Sequence, residues 1–444
     1  MDLFLRRAID LPQYRREQPD VPDIVLDRVL SVDTGSLDAE NKVTICGAGA
    51  IGRGLLAPLI AGAGFRLSFT DVSPALIAAL RASNSYEVNI GGETVGITDL
   101  HLINSGTNPD EAVAEMVRSC MICSAIGAKY YMSLARPLAD ALYYRMLFRI
   151  NDPVNVVMLE NLPLVFDAGY RAMEDPLAAF KAKLVEHRPG IKNFIENNVG
   201  IAMAIGNYPA GLQGGTDLLH ISVAGSGHII PVDAAGLKGP TGVPQLAAVD
   251  NFVRQQARKL LMFNMLHALV AYLGLNYRTI TRGNRPASVP QAMGFSDIRI
   301  IFENALDEIS GPVEKHFGFP AAEMELYRSH ILNIFRTYPD LLDRVGADPF
   351  RKLNRFDRLV GAAFLCAEYG VKPEAIAQGI AAGIRYAIET VGTNPDPEKG
   401  FPPIIHSRID KFFWILDRKC RIEAHSALGK SILSSFTALE ANCP

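Results

Sequence analysis

The chain has 444 residues, room for two or three domains and ample core, and its six cysteines are too few for a disulfide framework at this length. Hydrophobic residues make up 49% and charged ones 20%, and the net charge of −3 creates no field favouring nucleic acid or a membrane surface. Apolar runs such as 55–63 and 360–366 are too short to span a bilayer, and the start, Met1-Asp-Leu-Phe-Leu-Arg-Arg, lacks the apolar core of a secretory signal, so a cytoplasmic protein is expected.

Residues 1–40 are rich in charge and proline and read as an N-terminal extension, with a helix expected at 24–30. The run Val43-Thr-Ile-Cys-Gly47-Ala-Gly49-Ala50-Ile51-Gly52-Arg-Gly54 follows. A short apolar strand, 43–46, leads into G-x-G-x-x-G and then into a helical pattern over 55–63. The first glycine permits the tight turn, the second lets a pyrophosphate approach the backbone, and the third lets helix and strand pack closely. Free N–H groups at the helix start face the phosphates, which makes Gly47, Gly49, Ala50, Ile51 and Gly52 candidate cofactor-binding residues. A second β-like run, 65–69, ends at Asp71, about 20 residues beyond the glycines. A carboxylate there accepts both ribose hydroxyls of NAD and repels the 2′-phosphate of NADP, so NAD is the expected cofactor. The plainer reading makes Asp71 a cap for the helix that starts near Pro74.

Strand-like runs at 121–125 and 154–159 alternate with helical runs at 74–82 and 131–147. Such alternation predicts an α/β fold, a Rossmann-type doubly wound parallel sheet, over 41–240. Cys120 and Cys123 form a C-x-x-C inside an apolar run and read as buried core thiols. The strand at 154–159 delivers Glu160, Asn161 and Pro163 to its carboxyl end, where ligands of open α/β sheets bind. Runs at 217–223 and 228–233 flank Gly225-Ser-Gly227 as an expected hairpin, and the glycine- and proline-rich 236–244 reads as a linker. From 245 onward the pattern is helical, at 247–272, 297–316, 321–335, 356–368, 373–388 and 409–418. A mostly α-helical C-terminal domain is therefore expected over 241–444.

The first of those helices contains Lys259-Leu-Leu-Met-Phe-Asn264-Met-Leu-His267. On an α-helix these offsets put the three polar groups at roughly 0°, 140° and 80°, along about 12 Å of axis. Leu260, Leu261, Phe263, Leu266, Leu269 and Val270 surround them, so the helix is hydrophobic nearly all round and should be buried. Burying a lysine, an amide and an imidazole is costly unless they are paired or used. Desolvation lowers a lysine pKa towards neutrality and makes it a usable general base. The bland alternative is a lysine that snorkels to the surface beside a core-satisfied Asn and His.

The chain resembles the polyol-specific long-chain dehydrogenase/reductase (mannitol dehydrogenase) family, and within it the mannitol-1-phosphate 5-dehydrogenase branch, over about residues 43–390. The resemblance is carried by the glycine run 47–54, Ser85-Tyr-Glu-Val88, Glu160-Asn161, Lys259-x4-Asn264-x2-His267 with Ala271-Tyr-Leu-Gly274, Arg351-Lys-Leu353 with Asp357-Arg-Leu359, and Gln378-Gly-Ile-Ala-Ala382. It implies that Lys259 is the catalytic base, and that Asn264, His267 and Asn161 hold the reacting oxygen. It also implies a cleft between the two domains. Where the family has an Asp-Arg pair shortly before a proline, this chain has Ile205-Gly206-Asn207-Tyr208 before Pro209. A second family acidic position falls near Gly225-Ser-Gly227 and is absent, and the N-terminal extension has no bacterial counterpart.

The resulting expectation is a metal-free, NAD-linked oxidoreductase that interconverts a hexitol or hexitol derivative and its ketose, of the mannitol 1-phosphate/fructose 6-phosphate type. No Cys/His/Glu cluster suited to zinc is evident. An anionic substrate would be met by Arg344, Arg351, Lys352 and Arg358. The lost Asp-Arg pair keeps open a mannityl–amino-acid conjugate (a sugar opine) or a sugar acid. The rival from another class is a non-catalytic nucleotide-sensing protein. No nucleic-acid or membrane partner is expected, and the chain would act as a monomer or homodimer.

Overall fold

The computed structural model describes residues 21–25, 40–160, 175–212, 217–280 and 286–441. Asn161 and most of the N-terminal extension therefore lie outside the described residues. The chain forms two compact units, and the main break falls between Phe252 and Val253.

In the first unit the apolar runs at the centre of the main sheet become strands with both faces buried. The strands are β1 (Glu40–Cys46), β2 (Arg66–Asp71), β3 (Ser85–Ile90), β4 (Glu93–Thr98), β5 (His101–Asn104), β6 (Ser119–Ser124), β7 (Val154–Met158) and β8 (Val199–Met203). Six of them form one sheet in the order β5-β2-β1-β6-β7-β8. Every pairing in it is parallel. The order reverses between β1 and β6, the switch point at which such sheets bind their ligands. Alternate side chains serve opposite faces. Ile122 and Val156 pack in one core with helices Pro109–Arg118, Ala135–Leu147 and Pro176–His187. Cys123 and Val157 pack in the other, with Leu55, Leu56 and Ile60 of the helix after the glycines and with Leu76 and Leu80 of Pro74–Ser83. The doubly wound sheet expected from the alternation is present.

Three expectations are corrected. β10 (His220–Val223) and β11 (Ile230–Asp233) do not form a hairpin. β10 joins β3 in parallel and β9 (Ala210–Leu212) antiparallel, whereas β11 pairs in parallel with β12 (Leu246–Val249). Residues 236–244 consequently connect two paired strands inside the first unit and are not the linker, and the unit boundary moves from 240 to 252. The helix expected from 247 starts at Phe252, because Ala247, Ala248 and Val249 are taken up in β12.

The second unit is built round α1 (Phe252–Arg258), a π-helical turn (Lys259–Asn264) and α2 (Met265–Ile280). Residues 252–277 are long and apolar enough by composition to cross a membrane, but 72% of the apolar window is buried inside the protein. This is a core helix, covered by α3 (Ser296–Phe317), α4 (Ala321–Thr337), α5 (Leu342–Gly346), α6 (Arg358–Glu368) and α7 (Glu374–Thr390). Gly379 shows how closely they approach: a Cβ there would lie 2.8 Å from Leu269.

Candidate active site

In the first unit the chemistry gathers at the carboxyl ends of the strands. Gly47 turns the chain out of β1 with φ +97°, and a Cβ on it would meet the Ala125 carbonyl at 2.6 Å. A Cβ on Gly52 would strike the Gly47 carbonyl at 2.1 Å. Gly49 differs, since a Cβ there would meet nothing within 4 Å. Its missing side chain leaves open space, as a pyrophosphate needs. The first helical bond beyond the loop runs from the Arg53 N–H to the Gly49 carbonyl, so the amides of Gly49, Ala50, Ile51 and Gly52 precede the ladder. Such amides suit an anion.

Asp71 stands at the end of β2 and tethers this loop. One of its oxygens accepts the Ala48 N–H at 2.8 Å and the other the Ser73 N–H at 2.8 Å. The cap of the following helix is Ser73, whose Oγ accepts from the Leu76 N–H, so the plainer reading of Asp71 does not hold. Buried Arg53 braces the loop from below, donating to the carbonyls of Ala48 and Leu218 at 2.5 Å each. Two residues past β7, the Glu160 carboxyl is buried. Its Oε1 accepts from Ser124 Oγ at 2.5 Å and from the Ile126 N–H, while Oε2 has no hydrogen-bond partner among the described residues. Burial raises its pKa, favouring the protonated acid.

In the second unit the π-turn reorganises the polar face of the core helix. A π-turn bonds residue i to i+5, so it stacks Asn264 one turn beyond Lys259 instead of 140° round the helix. Asn264, the last residue of the turn, and His267 on α2 are neighbours at i and i+3. Lys259 is only 7% exposed. Burial, helped by the positive charge of Arg358, lowers its pKa to about 7. The Asn264 side chain is half-buried and has no hydrogen-bond partner among the described residues. His267 lies between the rings of Phe263 and Phe335, with its Nε2 3.3 Å from Asp340 Oδ2. Burial holds its pKa down to about 4.

Of the four expected anion-binding cations, Arg344, Arg358 and Lys352 bear on His267, and all four are already engaged. Arg344 donates to both oxygens of Asp340. Arg351 donates to Asp348 at 2.7 Å and reaches Asp357, and Arg358 pairs with Asp357 at 2.7 Å. Lys352 is buried and donates to the carbonyls of Val345 and Ala347, closing the end of α5. Asp340 was not among the residues singled out from sequence, and only its distance from His267 in space identifies it. At Ile205-Gly206-Asn207-Tyr208 the structure shows a tilted Tyr208–His228 ring pair, with centroids 4.1 Å apart, and a buried Asn207 Oδ1 that has no hydrogen-bond partner among the described residues. No group of three or more His, Cys, Asp or Glu side chains able to hold a metal occurs among the described residues.

The chain matches the mannitol dehydrogenase Rossmann domain over residues 41–202 and the mannitol dehydrogenase C-terminal domain over 249–396. It belongs to the mannitol dehydrogenase family. Membership makes this enzyme an NAD-dependent polyol oxidoreductase acting on a CH–OH group. Its fold is similar to that of a D-sorbitol dehydrogenase in substrate-free form, with TM-score 0.65, 13% identity, and 92% of this chain and 95% of that one covered. It is also similar to Pseudomonas fluorescens mannitol 2-dehydrogenase in a ternary complex with NAD and D-mannitol, with TM-score 0.63, 13% identity, and coverage of 91% and 92%.

Several motifs that carried the family resemblance prove to be packing devices in this enzyme. Tyr86 of Ser85–Val88 donates to the Arg53 carbonyl at 2.9 Å, steadying the π-turn after the glycine loop. Gly274 and Gly379 let helices approach, since a Cβ on Gly274 would lie 2.7 Å from Leu342. Asp357 caps α6 by accepting the Arg358 N–H.

Proposed function

We propose that the enzyme interconverts a hexitol, or a hexitol derivative, and its ketose, with Lys259 as the acid–base group. The observation that carries this is Lys259 itself, buried on the π-turn with its pKa lowered to about 7, the poise a general base needs at neutral pH. Bound NAD supplies the hydride acceptor. Lys259 takes the hydroxyl proton as hydride leaves the same carbon, and in reduction its ammonium returns that proton. The Asn264 amide donates to the oxygen as it gains charge, and Asn161, outside the described residues, is the second donor that the family resemblance implies.

The substrate's charge follows from the balance round the site. Arg344, Arg351 and Arg358 pair with Asp340, Asp348 and Asp357 while Lys352 donates to backbone carbonyls, so their summed field is far weaker than four free cations would give. Arg344 and Arg351 keep 59% and 44% of their side chains exposed, and their open edges are the candidates for a phosphate or carboxylate. A panel of ketoses, ketose phosphates and fructosyl amino acids, assayed by NADH and NADPH oxidation, tests the reading. Turnover of fructose 6-phosphate fits the mannitol 1-phosphate type. Turnover of fructosyl amino acids instead fits a sugar opine, and oxidation of NADH by none of them overturns the proposal.

A further inference from the structure

The two ring nitrogens of His267 have different neighbours. Nε2 lies 3.3 Å from Asp340 Oδ2, and the Asp340 side chain is 4% exposed. Arg344 holds that carboxylate from the far side through both of its oxygens. A carboxylate only accepts, so an imidazole lone pair aimed at it would be repelled and an N–H attracted. Nδ1 has no hydrogen-bond partner among the described residues, and the His267 side chain keeps 15% of its surface exposed. Phe263 and Phe335, with ring centroids 5.6 and 5.4 Å away, fix the plane of the ring. The charged groups that bear on His267 are Asp340, Arg344, Arg358 and Lys352, and the imidazole is neutral at physiological pH. It therefore carries one proton.

We propose that Asp340 is a positioning residue that locks His267 in its Nε2–H tautomer, leaving Nδ1 as an acceptor for a substrate hydroxyl. An acceptor cannot stabilise an oxyanion. His267 is therefore assigned away from the reacting oxygen, where the family resemblance puts it, to an O–H on a neighbouring carbon. The preferred substrate class is then a polyol or ketose with a free hydroxyl beside the reacting carbon. This assignment rests on the polyol-dehydrogenase reading of the site.

Long-range 1H–15N correlation spectra of protein labelled at histidine report the tautomer directly, with His267→Gln identifying the signal. An Nε2–H pattern is expected in the unaltered enzyme, and an Nδ1–H pattern overturns the lock. Asp340→Asn, checked for unchanged circular dichroism and NADH binding, should convert the signal towards Nδ1–H. It should also lower kcat/KM for the hydroxylated substrate roughly 10- to 100-fold, the worth of one buried hydrogen bond. The analogue lacking the neighbouring hydroxyl should lose far less, and equal losses overturn hydroxyl recognition. An Nε2–H tautomer in an enzyme that turns over no polyol would uphold the lock while removing the polyol reading. The two ideas can therefore fail separately.

Discussion

Lys259 is poised chiefly by burial, with Arg358 as the second cause, and both act in the same direction. A lowered pKa frees the base at lower pH. The oxidation rate should therefore rise as pH passes through about 7 and then level off, while reduction, which needs the ammonium, falls through the same range. Arg358→Gln should move both limbs to higher pH, and a shift downwards would contradict the assignment. Lys259→Ala should cut kcat by roughly 10² to 10⁴ with little change in cofactor affinity. On the other unit, Asp71→Ala should weaken NADH use and narrow the gap to NADPH. It should also loosen the glycine loop, because Asp71 holds the Ala48 amide. NADPH kinetics equal to NADH in the unaltered enzyme would show that Asp71 does not set the choice. Lys259, Asn264, His267 and Asp71 were singled out in the sequence because a costly buried group or a fixed offset marks each in one dimension, and the family resemblance supplied the roles of the first three. Asp340 was not, because its partner His267 lies 73 positions earlier in the chain and no spacing joins them.

At the scale of elements, the π-turn is the feature that sequence periodicity could not supply. Ideal α geometry spreads Lys259 and Asn264 about 140° apart, and only the extra residue of the turn aligns them. Deleting Leu260 should restore an α-helical step while keeping Met265 onward in register with α6 and α7. The variant should fold, retain NADH binding and keep kcat within about tenfold, because Lys259 then stands four residues before Asn264 and an α-helix places such a pair about 40° apart on one face. A kcat as low as that of Lys259→Ala in the folded deletion variant would show that aligning the two side chains is not what the turn provides. The same limit explains the misread β10 and β11. Both were visible as short apolar runs, but β10 finds its partner in β3, more than a hundred residues upstream, and local turn chemistry at Gly225-Ser-Gly227 says nothing about that pairing.

For the whole molecule, the parallel sheet and the helical second unit followed from patterns long enough to be unambiguous, whereas the boundary at Phe252 depended on whether residues 246–249 would pair as a strand. The two units divide the chemistry: the glycine loop and Asp71 lie in one, and Lys259, Asn264 and His267 in the other. If one substrate is served by both, cofactor and ketose must bind with a shared coupling free energy, and that coupling is reciprocal. The Lys259→Ala variant allows the test, because turnover no longer consumes the ligands. Titrating NADH by its fluorescence with and without saturating ketose should show tighter binding when the ketose is present. Titrating the ketose with and without NADH should return the same factor, about 5- to 150-fold for an ordinary coupling of 1–3 kcal/mol. Independent binding, with a factor of one in both directions, would mean that the two sets of residues do not meet on a common substrate. The division of labour between Lys259 and the sheet would then have to be abandoned.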